Sequence, residues 1–229
     1  MIAAALDTSI GSSFALSAEG RTLCSEFLDT RDRESEKELV PWLRGLLREH
    51  GMVPGNVAAW TLGTGPGSFT GLRVGIALAK GMALQTAAAY RGIPSSIGLA
   101  RMTAERVPAC HRIGILHDGR REQLILTVYE RSEDRLSTVE PAAIASRKQM
   151  LATCQACDIL ATLQPEPVRQ LLPAALAERL QVFDHLDAAM LLDPGGWPWP
   201  GTREGMEESC RPVYVRPPVF VKPTPPRTR

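Results

Sequence analysis

The chain has 229 residues, 44% of them apolar and 22% charged, with a formal net charge of +1. That balance suits a globular protein with a buried core and excludes a global electrostatic attraction to nucleic acid, so any basic surface is local. No apolar run reaches the roughly 18 residues of a membrane span, the opening MIAAALDTSI lacks a basic leader, and five scattered cysteines without an export signal predict reduced thiols in a cytoplasm.

In chain order, Ile2 to Leu6 is a short apolar run that predicts a strand covered on both faces. Asp7-Thr8-Ser9 and Gly11-Ser12-Ser13 supply turn chemistry, and Glu19-Gly20 marks a second hairpin turn before a strand over Thr22 to Phe27. Ser35 with Glu38 three residues later fits a capping box, followed by Leu39, Val40, Leu43, Leu46 and Leu47 at helical spacing up to Gly51. Pro41 falls in the second turn of that helix, where it removes an amide and bends the axis. NVAAWTLGTG then reads as a strand, Thr70 to Ala89 as a long alanine-rich helix, and Ser96 to Glu105 as another helix.

RIGILHDG and REQLILTVYE read as hairpin strands that restart the pattern near Val107. The chain therefore divides into an N-terminal lobe over 1–106, a smaller lobe over 107–210 and a Pro-rich basic tail over 211–229. Beyond Leu160 the pattern weakens, with a helical region over 164–180 interrupted by three prolines. Residues 211–229 hold six prolines, five Lys or Arg and no acid, which predicts an extended arm, a disordered tail, or an arm folded over the first lobe. Cys154 and Cys157 form a CxxC pair, but no partner pair follows at zinc-site spacing, so buried thiols are expected. None of His50, His111, His117 and His185 forms an i, i+4 pair, and no HExxH occurs, so neither a metal nor a catalytic residue is assigned.

The densest signal is GTGPGSFTGLRVGIALAKGMA, residues 63–83. It lacks the spacing of a Walker A loop, because Lys80 lies deep in the predicted helix and precedes Gly81 rather than Ser or Thr. Gly63, Gly65 and Gly67 do not give the dinucleotide-binding GxGxxG either. Glycines flanking a helix start can still hold an anion. From Gly67 onward, Gly67, Gly71, Gly75, Ala79 and Ala83 recur four apart, a ridge of small residues that lets a second backbone approach closely. Two readings stay open: packing inside the same domain, or an interface with another chain.

This stretch closely resembles the signature of the TsaB (YeaZ) family, with LDTS at 6–9 and RPVYVR at 211–216 matching its usual companions. The chain departs from the family at Ser35-Glu36, where His-Ser or His-Thr is common, and in DGRREQLI, which keeps Asp118 and Arg120 of the family's loop. The resemblance implies an α/β, two-lobed actin-like or Hsp70-like ATPase (ASKHA) fold with mixed sheets and a reduced second lobe. It implies a non-catalytic scaffold for N6-threonylcarbamoylation of adenosine 37 in tRNA. Such a chain pairs with a TsaD-like catalytic subunit, helps recruit a TsaE-like ATPase, homodimerises when alone, and touches tRNA indirectly or weakly, with no membrane role. Residues carried over to the partner interface are Leu39, Leu43 and Leu46 on the first helix. On the second they are Gly67, Ser68, Phe69, Thr70, Gly71, Arg73, Val74, Gly75, Leu78 and Ala79. ATP or ADP with Mg at the complex interface is the one cofactor implied. Asp7, Thr8, Ser9, Gly65, Gly67 and Asp118 stand at the fold's phosphate-loop and acid positions; Asp7 serves there either as a structural turn cap or as a magnesium-water ligand. Two alternatives are an ATPase or small-molecule kinase of the same fold, and a divergent homodimeric paralogue with another partner.

Overall fold

The computed structural model describes residues 1–29, 35–133, 135–193 and 197–215. The chain opens with three antiparallel strands, β1 (Ile2–Asp7), β2 (Ser12–Ala18) and β3 (Arg21–Leu28). The second turn is built on Glu19 and Gly20, both with positive φ, the backbone that two-residue hairpins require. A 3-10 turn over Ser35–Glu38 leads into α1 (Leu39–Glu49), then β4 (Ala59–Gly63), α2 (Phe69–Thr86) and β5 (Ala89–Ile93). The five strands form one sheet in the order β3-β2-β1-β4-β5, with β1, β4 and β5 parallel.

The pattern then repeats. After α3 (Ser95–Arg106) come β6 (Arg112–Asp118), β7 (Leu124–Ser132), β8 (Arg135–Ile144), α4 (Arg147–Gln155), β9 (Ile159–Thr162), α5 (Pro165–Leu171), α6 (Ala174–Ala177) and β10 (Leu180–Val182). The second sheet runs β10-β9-β6-β7-β8, again three antiparallel strands continued by parallel ones. Its strand number equals that of the first; what is reduced in this lobe is its helices, the last of which spans four residues.

Strand alternation assigns each face. Ala4, Leu6, Phe14, Leu16, Trp60 and Leu62 face α1 and α2 in one core. Ala5 and Ala15 on the opposite face join Ile97, Leu99 and Ala100 of α3 and Ile113, Ile115 and Tyr129 of the second sheet. α3 is thus a shared layer between the two sheets. Leu116, Leu126, Val128 and Leu160 close a third core with Met150 and Cys154 of α4 and Val168 of α5.

Several expectations need correction. α1 begins at Leu39, one turn later than the capping-box reading, and Glu38 makes no side-chain cap. Pro41 is therefore the third helical residue, where the missing N–H has no intrahelical acceptor and costs nothing. The second helix ends at Thr86, because Ala87 takes the left-handed cap position and frees the next residues for β5. After β10 the chain crosses back: α7 (Ala189–Leu192) packs on α3 and the first sheet, and α8 (Arg203–Ser209) packs on β5. Packing therefore places these elements with the first lobe and not with the 107–210 unit. Arg211 to Val215 is the folded-back alternative: Val213 N–H donates to Thr64 O at 2.8 Å. The remainder of the basic tail, 216–229, lies outside the described residues.

Candidate functional site

Two surfaces meet at the N-terminal end of α2. One is the outer face of the helix; the other is the cleft between the lobes. The sequence of α2 decides how they are divided.

The small-residue ridge turns inward. A Cβ on Gly67 would lie 2.5 Å from Ser9 O, and one on Gly75 would lie 2.7 Å from Thr8 Cγ2. One on Gly71 would collide with Thr8 O. Ala79 and Ala83 are fully buried in the core under α1 and α2. The ridge exists so that the β1–β2 loop can lie against the helix. Thr8 Oγ1 donates to Gly71 O at 2.8 Å and Ser68 N–H donates to Ser9 O at 2.7 Å. Leu39, Leu43 and Leu46 are buried in the same core, so as side chains they are unavailable to another chain, and so are Gly71, Gly75 and Ala79. Leu78 is half-buried.

Of the positions assigned to an interface, Ser68, Phe69, Thr70, Arg73 and Val74 face outward, while Gly67 is exposed at the cleft with its Cβ direction closed by Ser9. Ala77 and Gly81, within the stretch carried over to the interface but not singled out, continue that outward face, and so does Leu84, beyond that stretch and 51% exposed. A Cβ on Gly81 would meet nothing within 4 Å. The signal was available: Phe69, Arg73, Ala77 and Gly81 also recur four apart. On the outer face Arg73 lies 3.7 Å from the Phe69 ring centroid, and its Nε donates to Tyr214 Oη at 2.9 Å. The closing segment is thereby clasped to the first turns of α2. Farther along, Lys80 pairs with Glu207 of α8, whose other oxygen accepts from Tyr90 Oη at 2.6 Å.

The cleft has a volume of about 280 Å³. Thr8, Ser9, Gly67, Ser68 and Gly71 line its first-lobe wall, and His117, Asp118 and Gln164 line the other. Asp7 and Gly65 do not line it. Asp7 is 1% exposed; its Oδ1 accepts from Ser9 N–H at 2.9 Å and Ser9 Oγ at 2.6 Å, and its Oδ2 accepts from Ser95 Oγ. Burial pushes its carboxyl above the ordinary carboxylate value, against the hydrogen bonds from Ser9 and Ser95 that pull it down. Gly63 makes room for it, since a Cβ there would sit 2.7 Å from Asp7 Cγ. Of the two readings of Asp7, its contacts are those of the structural cap. Gly65 is tied to the same point, its N–H donating to Ser95 Oγ and its carbonyl accepting from Ser95 N–H, both at 2.8 Å. Asp118 reaches the cleft, with Oδ1 accepting from Arg120 N–H at 2.7 Å.

Cys154 and Cys157 are buried thiols, and burial raises them to about 12 and about 11. Among the described residues no helix is long and apolar enough to cross a membrane.

The family model "TsaD: tRNA N6-adenosine threonylcarbamoyltransferase" matches residues 23–171. The tRNA threonylcarbamoyladenosine biosynthesis protein TsaB of Escherichia coli K12 is 28% identical over 127 residues, 52% of this chain and 54% of the relative. TsaB of Bacillus subtilis 168 is 26% identical over 120 residues, 52% and 51% of the two chains. The chain thus spans about half the length of the curated relatives it matches. Two solved structures superpose over nearly everything. A Pseudomonas aeruginosa protein described as similar to peptidase YEAZ gives a TM-score of 0.74 at 27% identity, covering 94% of this chain and 99% of that one. YeaZ from Pseudomonas aeruginosa gives 0.72 at 26%, covering 93% and 99%. The two mixed sheets, the glycine-rich helix start and these matches agree: the chain belongs to the TsaD family and, within it, to the TsaB (YeaZ) proteins.

Proposed function

We propose that this chain is a non-catalytic partner subunit in the N6-threonylcarbamoylation of adenosine 37 of tRNA, and that it docks a TsaD-like catalytic subunit through the outer face of α2. The observation that carries the docking face is Gly81. A helical glycine costs about 1 kcal/mol against alanine, and the glycines of the inner ridge recover that cost by admitting Thr8 and Ser9. Gly81 admits nothing from its own chain. It sits among Ala77, Val74 and Leu84, a small and apolar strip flanked by the charged side chains of Arg73, Lys80 and Glu207, which suits close approach by another helix with polar groups at its edges. Small residues at a helix crossing let the axes come together. Used by two copies, the same strip supports a homodimer when the catalytic subunit is absent.

The TsaE-like ATPase, and any ATP or ADP with Mg, then belong to the assembled complex. Contact with tRNA falls to the basic residues beyond Val215 and is weak or indirect. The competing reading, an ATPase or small-molecule kinase, draws no support from Asp7, whose carboxylate oxygens are taken by Ser9 of its own loop and by Ser95 at the start of α3. The paralogue reading differs only in the partner.

The test is co-purification of the full chain with its TsaD-like subunit. Ala77→Arg and Gly81→Arg are expected to leave the isolated chain folded and to abolish both capture and homodimer sedimentation. Undiminished capture by both variants would sink the proposed face. ATP turnover by the chain alone would overturn the non-catalytic role.

A further inference from the structure

Three basic side chains line the groove between α2 and α8: Arg73, Lys80 and Arg211. Lys80 pairs with Glu207, and Arg211 pairs with Glu208 at 2.6 Å. Arg73 has no carboxylate within ion-pair distance among the described residues; Glu204 lines the same groove and does not reach it. The guanidinium is nevertheless held in place. Phe69 and Arg73 stand four apart on α2, so their side chains meet on one face, and the guanidinium lies 3.7 Å from the Phe69 ring centroid, a cation–π contact. The Tyr214 ring packs on Phe69 at 4.9 Å, and its hydroxyl accepts from Arg73 Nε at 2.9 Å. Tyr214 is fixed there by the preceding residue, Val213, whose N–H donates to Thr64 O. A guanidinium carries five N–H groups in a planar fork. The Nε group is taken; those on Nη1 and Nη2 have no acceptor among the described residues, and the side chain is exposed.

We propose that Arg73 is the specificity contact of the docking face and that it receives a carboxylate, an Asp or Glu side chain on a helix of the TsaD-like subunit, across the end of its fork. This rests on the docking proposal above and adds the chemistry of the partner. With Nε held by Tyr214 and one face covered by Phe69, the edge left to a ligand is the Nη1–Nη2 end, which matches the two oxygens of a carboxylate in a bidentate pair. An exposed ion pair ordinarily contributes little, because two long side chains must be ordered while water competes. Arg73 is ordered before docking, which lowers that cost, and a helix laid along Ala77, Gly81 and Leu84 would exclude water from it, the setting in which Arg and Tyr dominate interface energetics. Lys80 and Arg211 are already neutralised from α8 and offer such a helix no unmatched charge. The small strip therefore sets how close the partner comes, and Arg73 sets which partner and which register. A helix bringing an apolar or basic side chain to this point would strip the guanidinium of water and return nothing to it.

The test titrates the full chain with the TsaD-like subunit at several salt concentrations. Arg73→Gln should weaken binding about tenfold or more, and its affinity should fall less steeply with salt than the parent's. Arg73→Lys keeps the charge without the fork and should recover only part of the loss. Tyr214→Phe keeps the ring and releases Nε; it should weaken binding less than Arg73→Gln and leave the salt dependence in place. A readout that needs no variant runs beside these: in the complex of the unmutated chains, Arg73 should be protected from phenylglyoxal, as read by peptide mass spectrometry. Parent-like affinity in Arg73→Gln, a loss with unchanged salt dependence, full recovery in Arg73→Lys, or undiminished labelling of Arg73 in the complex each overturns the proposal. So does a defect confined to homodimer sedimentation, which gives the contact to a second copy of the chain. The docking face is judged separately, by Ala77→Arg and Gly81→Arg: if these abolish capture while Arg73→Gln binds as the parent does, the face stands and the carboxylate contact alone is lost.

Discussion

Gly75→Ala tests the inward assignment of the glycine ridge. The added Cβ would sit 2.7 Å from Thr8 Cγ2 and 3.0 Å from Thr8 Cβ, and closer still to Oγ1. Carbon atoms pack at about 3.5–4.0 Å, so the overlap approaches 1 Å. Thr8 is β-branched and its hydroxyl is bonded to Gly71 O; it escapes only by breaking that bond or by carrying the β1–β2 loop outward. Overpacking of this kind costs about 1–3 kcal/mol and the hydrogen bond about 1, while alanine returns at most about 1 through helix propensity. A net loss of about 2 kcal/mol lowers Tm by roughly 4–8 °C in a chain of this size. Gly81→Ala, on the same helix with open space before it, should instead raise Tm by roughly 2–4 °C. In a Thr8→Ala background the cost of Gly75→Ala should fall, because the two nearest colliding atoms are gone, and a double-mutant cycle measures that coupling. Thermal melts of the four single and double variants give every number needed. A Gly75→Ala protein as stable as Gly81→Ala would refute the inward packing and return the ridge to an interface.

Two further outcomes follow from the same geometry. Ser95→Ala removes the hydroxyl that donates to Asp7 and accepts from Gly65 N–H; a loss of about 1–3 kcal/mol is expected, read as a fall in denaturation midpoint, and an unchanged midpoint would show that the Asp7 network contributes little. His117 is held neutral by burial, with its folded-state value near 4 below its ordinary 6.5. The unfolded chain therefore binds more protons between these values, and stability rises with pH across that window and is lost on acidification. The difference amounts to about 3 kcal/mol at most, and His117→Leu should flatten that part of the stability–pH curve; identical curves would place the ring in contact with solvent.

Much of the architecture is legible in the sequence because its elements are locally consistent. The apolar run at Ile2–Leu6, the Glu19-Gly20 turn and the strands on either side of Gly119 carry their own signals. β5 does not: AYRGI is five residues long, lacks alternation, and follows α2 with alanine, not glycine, at the left-handed cap. β9 and β10, at four and three residues, are too short for a period to register. The return of α7 and α8 to the first lobe depends on long-range partners, such as Gly92, where a Cβ would lie 2.7 Å from Cys210 Cα. The candidate site divides the same way. Spacing correctly marked α2 as a helix with faces of small residues, but two such rows run along it. Which one faces the sheet is decided by Thr8 and Ser9, sixty residues away in the chain. His117 gives no pattern at all; burial alone sets its neutral state.

The layer formed by α3 has a mechanical consequence. Two-lobed proteins that close on a ligand need a hinge, a few residues that absorb rotation while each half keeps its own interior. Here Ala5 and Ala15 of the first sheet and Ile113 and Ile159 of the second share one interior across α3, and the chain passes between the lobes twice, into α3 and back through α7. Rotating one half against the other would tear that interior along its full width. That shared interior opposes rotation of one half against the other, and it couples the notch to the platform of α2 through the packing around α3.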